Sequence, residues 1–381
     1  MRNPLVVVLA TICATACPGS GDTTSDATTS ATTATPASTT TGTASTTESP
    51  TTGSAPIAEP FTLTVLDKQW ISGTGGWDTQ HKDVDIDLGD GSFTSVTLIV
   101  DLESSCFPFA DWTTPPPGQN WPARCDAFDR TMGFIVDPAA APDDPPGFEA
   151  LRAITPFGGP KHIEADLTDW ANVHPGAHSL RSYINSWPDG AGIVSGSEGG
   201  WTLSVKLAVV PGPAPRNVLA AIPLYNADLG ATTPDPEISF SFPAGTTRST
   251  LSYTVSGHGG GPMIGDCIGP AEEFCKRHHH LRLDGAELID FIPWRADCTS
   301  FCTVTDNPGP KGPAKYCAEN PCGSIASVNA PRANWCPSEV VQPFVGPIKL
   351  GPGEHTFGFH VDGVVDGGSW TTAAIVYAYG D

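Results

Sequence analysis

Apolar and polar positions alternate in short runs along most of this 381-residue chain, beginning near residue 60. Phe61-Thr62-Leu63-Thr64-Val65, Val84-Asp85-Ile86-Asp87-Leu88 and Val96-Thr97-Leu98-Ile99-Val100 each set every second side chain on an apolar face. Residues 249–255, 279–283, 356–361 and 373–379 repeat the habit. Period-two alternation broken by Gly, Pro and Asp is the pattern of half-buried antiparallel strands. No stretch predicts a helix longer than two turns, and 41 glycines with 38 prolines disfavour one. The expected fold is all-β, with two sandwich or jelly-roll domains at 58–212 and 213–381. Their joint falls at Pro211-Gly212-Pro213-Ala214-Pro215.

The N-terminus breaks this pattern. Arg2, the apolar stretch Pro4–Ile12 and the small residues Ala14-Thr15-Ala16 predict a signal peptide over 1–16. Cys17 follows immediately, as in a bacterial lipobox, so lipidation at Cys17 is expected. That makes the protein an exported outer-membrane or cell-surface lipoprotein, touching the membrane through its lipid anchor; plain secretion is the alternative. Between Asp22 and Ser54, 21 of 33 residues are Ser or Thr, too little apolar bulk to offset the entropy of ordering. A disordered Ser/Thr-rich linker over 17–57 is therefore predicted. Charge adds an exclusion: 41 acids oppose 19 bases, a net charge of -22, which argues against nucleic acid as partner.

Eleven cysteines fit an oxidising compartment. Setting aside Cys13 in the signal and Cys17, nine remain, an odd number that leaves one unpaired or paired between chains. A zinc site built from Cys298, Cys302, Cys317 and Cys322 is the competing reading, but the spacings are loose and export favours disulfides.

Six colinear segments carry a resemblance. Cys125-Asp126-Ala127-Phe128-Asp129-Arg130 resembles the Cys-Asp-x-Trp-Asp-Arg run of the bacterial peptide:N-glycosidase F family. Residues 154–157, 164–170, 256–259, 272–279 and 332–337 are similar to further family segments in the same order. The resemblance implies two side-by-side jelly rolls, and hydrolysis of the amide joining an N-linked glycan to asparagine in a cleft between them. It implies N-glycosylated proteins or glycopeptides as partners, no cofactor, no metal and a monomer. It implies Asp129 and Glu273 as the catalytic carboxylates and Arg332 as the active-site arginine. It also implies disulfides Cys106–Cys125 and Cys267–Cys275, with Cys336 paired to an insert cysteine, of which Cys298 is favoured. The pairing of Cys302, Cys317 and Cys322 stays open.

Two positions depart from the family pattern. The run Tyr183-Ile184-Asn185-Ser186-Trp187 puts Asn185 where the family has a second glutamate, and His258 replaces a tryptophan. Asn185 can hydrogen-bond sugar hydroxyls but cannot titrate. Asn185, Arg332, Trp187, His258 and Trp335 form the expected substrate-binding set, with the aromatics stacking on sugar faces or, competing with that, filling the core. Amide hydrolysis needs an activated water, oxyanion stabilisation and a proton for the leaving nitrogen. One carboxylate fewer therefore raises a non-catalytic glycan-binding relative as the alternative. A third reading, a copper-dependent monooxygenase-like oxidoreductase of the same fold superfamily, rests on His278-His279-His280 with His258 and Met263 upstream.

Overall fold

The computed structural model describes residues 59–381, except 105, 108–114, 142, 143, 308, 310 and 311. The signal peptide, Cys17 and the linker lie outside the described residues. The described chain is almost all β, with short helices of at most six residues.

The first half contributes β1 (Phe61–Ser72), β2 (His81–Asp87), β3 (Phe93–Glu103), β4 (Thr131–Val136), β5 (Phe148–Ile154), β6 (Lys161–Asp166), β7 (Ala177–Ile184) and β8 (Gly200–Pro211). They form two antiparallel four-stranded sheets, ordered β1-β8-β3-β6 and β2-β7-β4-β5. Alternate residues of β3 (Val96, Leu98, Val100, Leu102) face alternate residues of β4 and β7 (Met132, Phe134, Leu180, Ile184), all buried in one core. This is the inward half of the period-two pattern.

The second half contributes β9 (Val218–Gly230), β10 (Glu237–Phe242), β11 (Arg248–Gly259), β12 (His279–Leu283), β13 (Ala286–Phe291), β14 (Val304–Asp306), β15 (Lys315–Cys317), β16 (Phe344–Pro347), β17 (Gly353–Val361) and β18 (Gly368–Tyr379). Its sheets run β16-β11-β18-β9 and β10-β17-β12-β13, and β14 pairs with β15 in the cysteine-rich insert. Phe357 and Phe359 of β17 meet Leu251 and Tyr253 of β11 in the second core.

β18 departs from simple alternation. Ala373, Ala374, Ile375 and Val376 are all buried. Ala374 and Val376 enter the second core, whereas Ile375 joins Ala221 of β9 in the first. The β9–β18 layer is thus covered on both faces, by its own sandwich and by its neighbour, which explains a near-continuous apolar run.

A buried cation ties the two sandwiches together. Arg152 on β5 pairs with Glu149 through Nε and Nη2, and donates through Nη1 to the carbonyl of Thr371 on β18 and to Ser256 Oγ on β11. Both charged side chains are almost fully enclosed. Burial pushes the Glu149 carboxyl above the usual range, and Arg152 opposes that shift. Backbone bonds flank the contact, from Ile154 N to Glu339 O and from Val341 N to Arg152 O.

Removing one member of such a pair strands the other in low dielectric. Arg152→Met should cost about 3–5 kcal/mol in urea unfolding, while Arg152→Met with Glu149→Leu should recover much of that loss. Equal losses in the single and double variants would show that the pair is not what holds the interface.

Candidate active site

Asp129 lies in the segment between the Cys106–Cys125 disulfide and β4. The segment is shaped by Asp126, which is wholly buried. Its carboxylate accepts from Arg130 Nε at 2.9 Å, from Arg130 Nη2 at 3.0 Å and from Ser186 Oγ at 2.6 Å. Arg130 also donates to the Trp187 carbonyl, and its backbone N–H donates to Thr155 Oγ1. With both neighbours pinned, the Asp129 side chain is set towards the second sandwich. Asp126 is the anchor that sequence reasoning missed; the i,i+4 spacing of Asp126 and Arg130 inside the recognised run is the signal that carries it.

The second sandwich supplies the facing groups. Glu272–Phe274 form one turn of 3₁₀ helix inside the loop closed by Cys267–Cys275. Ala333 N–H donates to the Glu273 carbonyl at 2.8 Å, which brings the arm carrying Arg332 beside it. Arg332 Nη2 stands 3.6 Å from Asp129 Oδ2. Asp129, Glu273 and Arg332 therefore meet across the junction of the two domains.

The electrostatics divide Glu272 from Glu273. Glu272 is fully buried, accepts from Arg277 Nε at 2.7 Å and Nη2 at 2.9 Å, and from Trp370 Nε1 at 3.0 Å. Its charge is fully partnered and it acts as a brace. Glu273 has no such partner. Burial first, and the Asp129 charge second, push its carboxyl up to about 7, with Arg332 pulling the other way. Asp129 is also raised, chiefly by burial, with Arg332 opposing. Its Oδ2 is buried and accepts no hydrogen bond from the described residues; nor does the Arg332 Nε find an acceptor.

The expected substrate-binding residues fall into two groups. Asn185 and Trp187 are exposed, and Asn185 Oδ1 accepts from the Trp187 indole Nε1 at 2.7 Å. With the ring of Phe128, over which Arg130 stacks at 4.9 Å, they give the Asp129 side of the junction an open aromatic rim. The other three are corrected by the structure. Trp335 is only 2% exposed and donates to the Gly257 carbonyl, so it is core packing and offers no face to a sugar. His258 stacks on Trp335, and its Nε2 lies 2.8 Å from Ser256 Oγ and 3.4 Å from Thr131 Oγ1. Burial, then Arg152, push this imidazole down to about 3, so it is a neutral wedge at the domain junction. Arg332 is almost fully enclosed and donates to the carbonyls of Ser327 and Ala330. What it presents to the site is its charge, beside Asp129.

His278 and His280 stack with ring centroids 6.0 Å apart, but the wider histidine set does not gather. His279 points into the core against Tyr253 OH, His278 pairs with Asp290 and His280 with Asp362, while Met263 is exposed. His258 sits at the domain junction, so these side chains share no common point.

The three disulfides implied by the resemblance are present, Cys106–Cys125, Cys267–Cys275 and Cys298–Cys336. A fourth joins Cys302 to Cys317, and Cys322 remains a thiol. The insert cysteines thus close disulfide loops in place of the four-cysteine zinc arrangement.

Two jelly-roll-like sandwiches with facing carboxylates and an arginine at their junction define a class of two-domain β proteins. Within it, residues 225–379 match the family described as "Peptide-N-glycosidase F, C terminal". The chain is 22% identical over 231 residues to the peptide-N(4)-(N-acetyl-beta-D-glucosaminyl)asparagine amidase F of Elizabethkingia miricola, covering 57% of each protein. It therefore spans little more than half the length of that curated relative. The solved structure of PNGase F, a glycosylasparaginase from Flavobacterium meningosepticum, aligns with a TM-score of 0.60 at 18% identity, over 85% of this chain and 96% of that one. PNGF-II aligns at 0.62 with 17% identity, over 85% and 66%. Residues 225–379 thus match the peptide-N-glycosidase F family in sequence, and the described chain shares the fold of the solved peptide-N-glycosidase F structures.

The Glu273 shift fixes a stability signature. Its folded value near 7 lies above the ordinary 4.5, so ionising Glu273 destabilises the fold as pH rises from about 4.5 to about 7. Glu273→Gln should leave the urea midpoint nearly unchanged at pH 4 and raise stability at pH 8 by on the order of 2 kcal/mol. Glu272→Gln should lower stability at pH 8, because Arg277 loses its partner. If Glu273→Gln has the same effect at pH 4 and pH 8, Glu273 is not the group in this environment.

Proposed function

We propose that the protein is a peptide:N-glycosidase F-like amidase that hydrolyses the bond between N-acetylglucosamine and asparagine in N-linked glycoproteins or glycopeptides. The observation that carries this is the meeting of Asp129, Glu273 and Arg332 across the domain junction, with Glu273 pushed up to about 7. The similarity to amidase F supports the substrate class.

The two carboxylates and the cation share less than their full charge. Arg332 favours ionisation of Asp129 against the burial that raises it, and burial together with the Asp129 charge holds a proton on Glu273. That split assigns complementary roles, a base and an acid in one site. Asp129 takes a proton from the attacking water, while its buried Oδ2 stays turned towards Arg332. The water oxygen adds to the asparagine side-chain carbonyl. Glu273 gives its proton to the departing nitrogen, leaving aspartate in the peptide and a glycosylamine. Asn185 does not titrate; it holds the Trp187 indole by its Nε1–H, so that the exposed ring can stack on a sugar face. Loss of the family glutamate at this position changes sugar contact and leaves the Asp129–Glu273 pair whole. The export, Cys17 lipidation and monomer readings belong to this proposal and rest on the sequence.

The test is glycan release from a denatured N-glycoprotein by the full chain, with mass spectrometry of the peptide. Release should convert the glycosylated asparagine to aspartate. Asp129→Asn should lower kcat by roughly a thousandfold, the scale of a lost catalytic group. Trp187→Ala should act mainly on KM, and the descending limb of activity near pH 7 should flatten in Glu273→Gln. Glycopeptide binding without release would move the assignment to a non-catalytic glycan-binding relative.

A further inference from the structure

One half-buried nucleophile takes no part in the chemistry above. Cys322 closes the cysteine-rich insert as a thiol, and its Sγ lies beside the Cys106–Cys125 disulfide, the three sulfurs all within 4.8 Å of one another. Gly158 makes the approach possible. It adopts a φ of +68°, and a Cβ there would run into Cys322 Sγ and stand 2.9 Å from Cys106 Cβ and 3.1 Å from Cys106 Sγ. Gly158 therefore touches both Cys322 and Cys106, and any side chain at this position would drive them apart.

The placement of Cys322 is built by the backbone. Cys322 N–H donates to the Phe157 carbonyl at 3.0 Å, and Phe157 N–H donates to Asn320 Oδ1 at 2.8 Å. Asn320 Nδ2 in turn donates to the Phe301 carbonyl. The thiol packs in a small apolar cluster with Cys106, Cys125 and Ala127. Two of the three sulfurs are bonded to each other and carry no thiolate for a metal ion, whereas the third is a thiol within 4.8 Å of both.

We propose that Cys322 exchanges with the Cys106–Cys125 disulfide, giving the protein a second covalent form linked Cys106–Cys322. Cys322 Sγ, as thiolate, attacks Cys106 Sγ and forms the new bond. The Cys106–Cys125 bond breaks, its electron pair passes to Cys125 Sγ, and the proton released by Cys322 ends there. Nothing is oxidised or reduced overall, and no second reagent takes part. In the first form residue 106 is tied to the segment that leads to Asp129. In the second it is tied to the insert, and Cys125, four residues before Asp129, becomes a thiol. Asp126, held by Arg130 and Ser186, keeps that segment in place in both forms. Burial and the nearby Asp126 charge hold Cys322 protonated, which makes the exchange slow in the closed structure.

The test is disulfide mapping of the full chain exported from a bacterial host. The protein is unfolded in acidic denaturant to stop exchange, its thiols are blocked with a maleimide, and peptides are analysed by mass spectrometry. Wild type should carry the label divided between Cys322 and Cys125, with Cys106–Cys125 and Cys106–Cys322 peptides in matching proportion. Cys322→Ser should shift all of the product to Cys106–Cys125, and Cys125→Ser should form Cys106–Cys322 and lose its labelled thiol. Wild-type label on Cys322 alone overturns the proposal, whether or not Cys125→Ser folds; so does a Cys125→Ser protein with both Cys106 and Cys322 labelled.

Discussion

The buried pair Arg152–Glu149 is the constraint on which the site depends. A guanidinium in the first sandwich spends its donors on Glu149, on the Thr371 carbonyl and on Ser256 of the second. Desolvating such a group is costly unless its donors are met, and the groups meeting them come from β5, β11 and β18 at once. Sliding one sandwich against the other would leave a charge unpaired. Asp129 comes from one sandwich, and Glu273 and Arg332 come from the other, so their spacing is only as fixed as this junction. Apolar contact, such as Ile375 entering the first core, adds affinity between the layers but little registry. The ion pair supplies the registry.

That rigidity lets the site keep an unbalanced charge. Along the same few residues, one glutamate is neutralised and its neighbour is not. Glu272 has Arg277 and Trp370; Glu273 has only the field of Asp129 and Arg332. Much of the hydrogen-bonding capacity of Arg332 goes to loop carbonyls, which holds the cation still without quenching its charge. A fixed cation near two carboxylates orders their ionisation better than a mobile one, since it costs no reorganisation.

Much of this was legible in the sequence. The alternating runs over 61–65, 96–100 and 279–283 correspond to β1, β3 and β12, and in β3 and β12 the alternation follows one buried face. Asp129 and Glu273 were readable only through colinear resemblance, since a single acidic residue in a loop carries no signal of its own. Trp335 shows the limit. A core tryptophan and a sugar-stacking tryptophan are identical in sequence, and what separates them is whether the Nε1–H is spent on a backbone carbonyl, as it is on Gly257. Trp187 spends its own on Asn185 and keeps its ring outside. The adjacent histidines, which carried only the third reading, separate for a related reason. On β12 successive side chains point to opposite faces, so three in a row cannot converge, and His279 was bound to enter the core.

Parity is the one property of the cysteines that no local pattern conceals. Nine cysteines beyond the signal and Cys17 cannot all pair within one chain, and the structure shows where the surplus falls. An unpaired thiol placed at random would be sealed in a core away from other sulfur. Cys322 is instead half-buried beside a disulfide, under a glycine whose positive φ and missing Cβ leave room for the sulfurs to approach. A thiol that served packing alone would gain nothing from that arrangement. The same insert that adds the extra cysteines also supplies Asn320, whose side chain ties it to Phe157 and Phe301. Hydrogen bonds to Phe157, next to Gly158, thus hold the insert where the sulfurs meet, whichever two of the three are bonded.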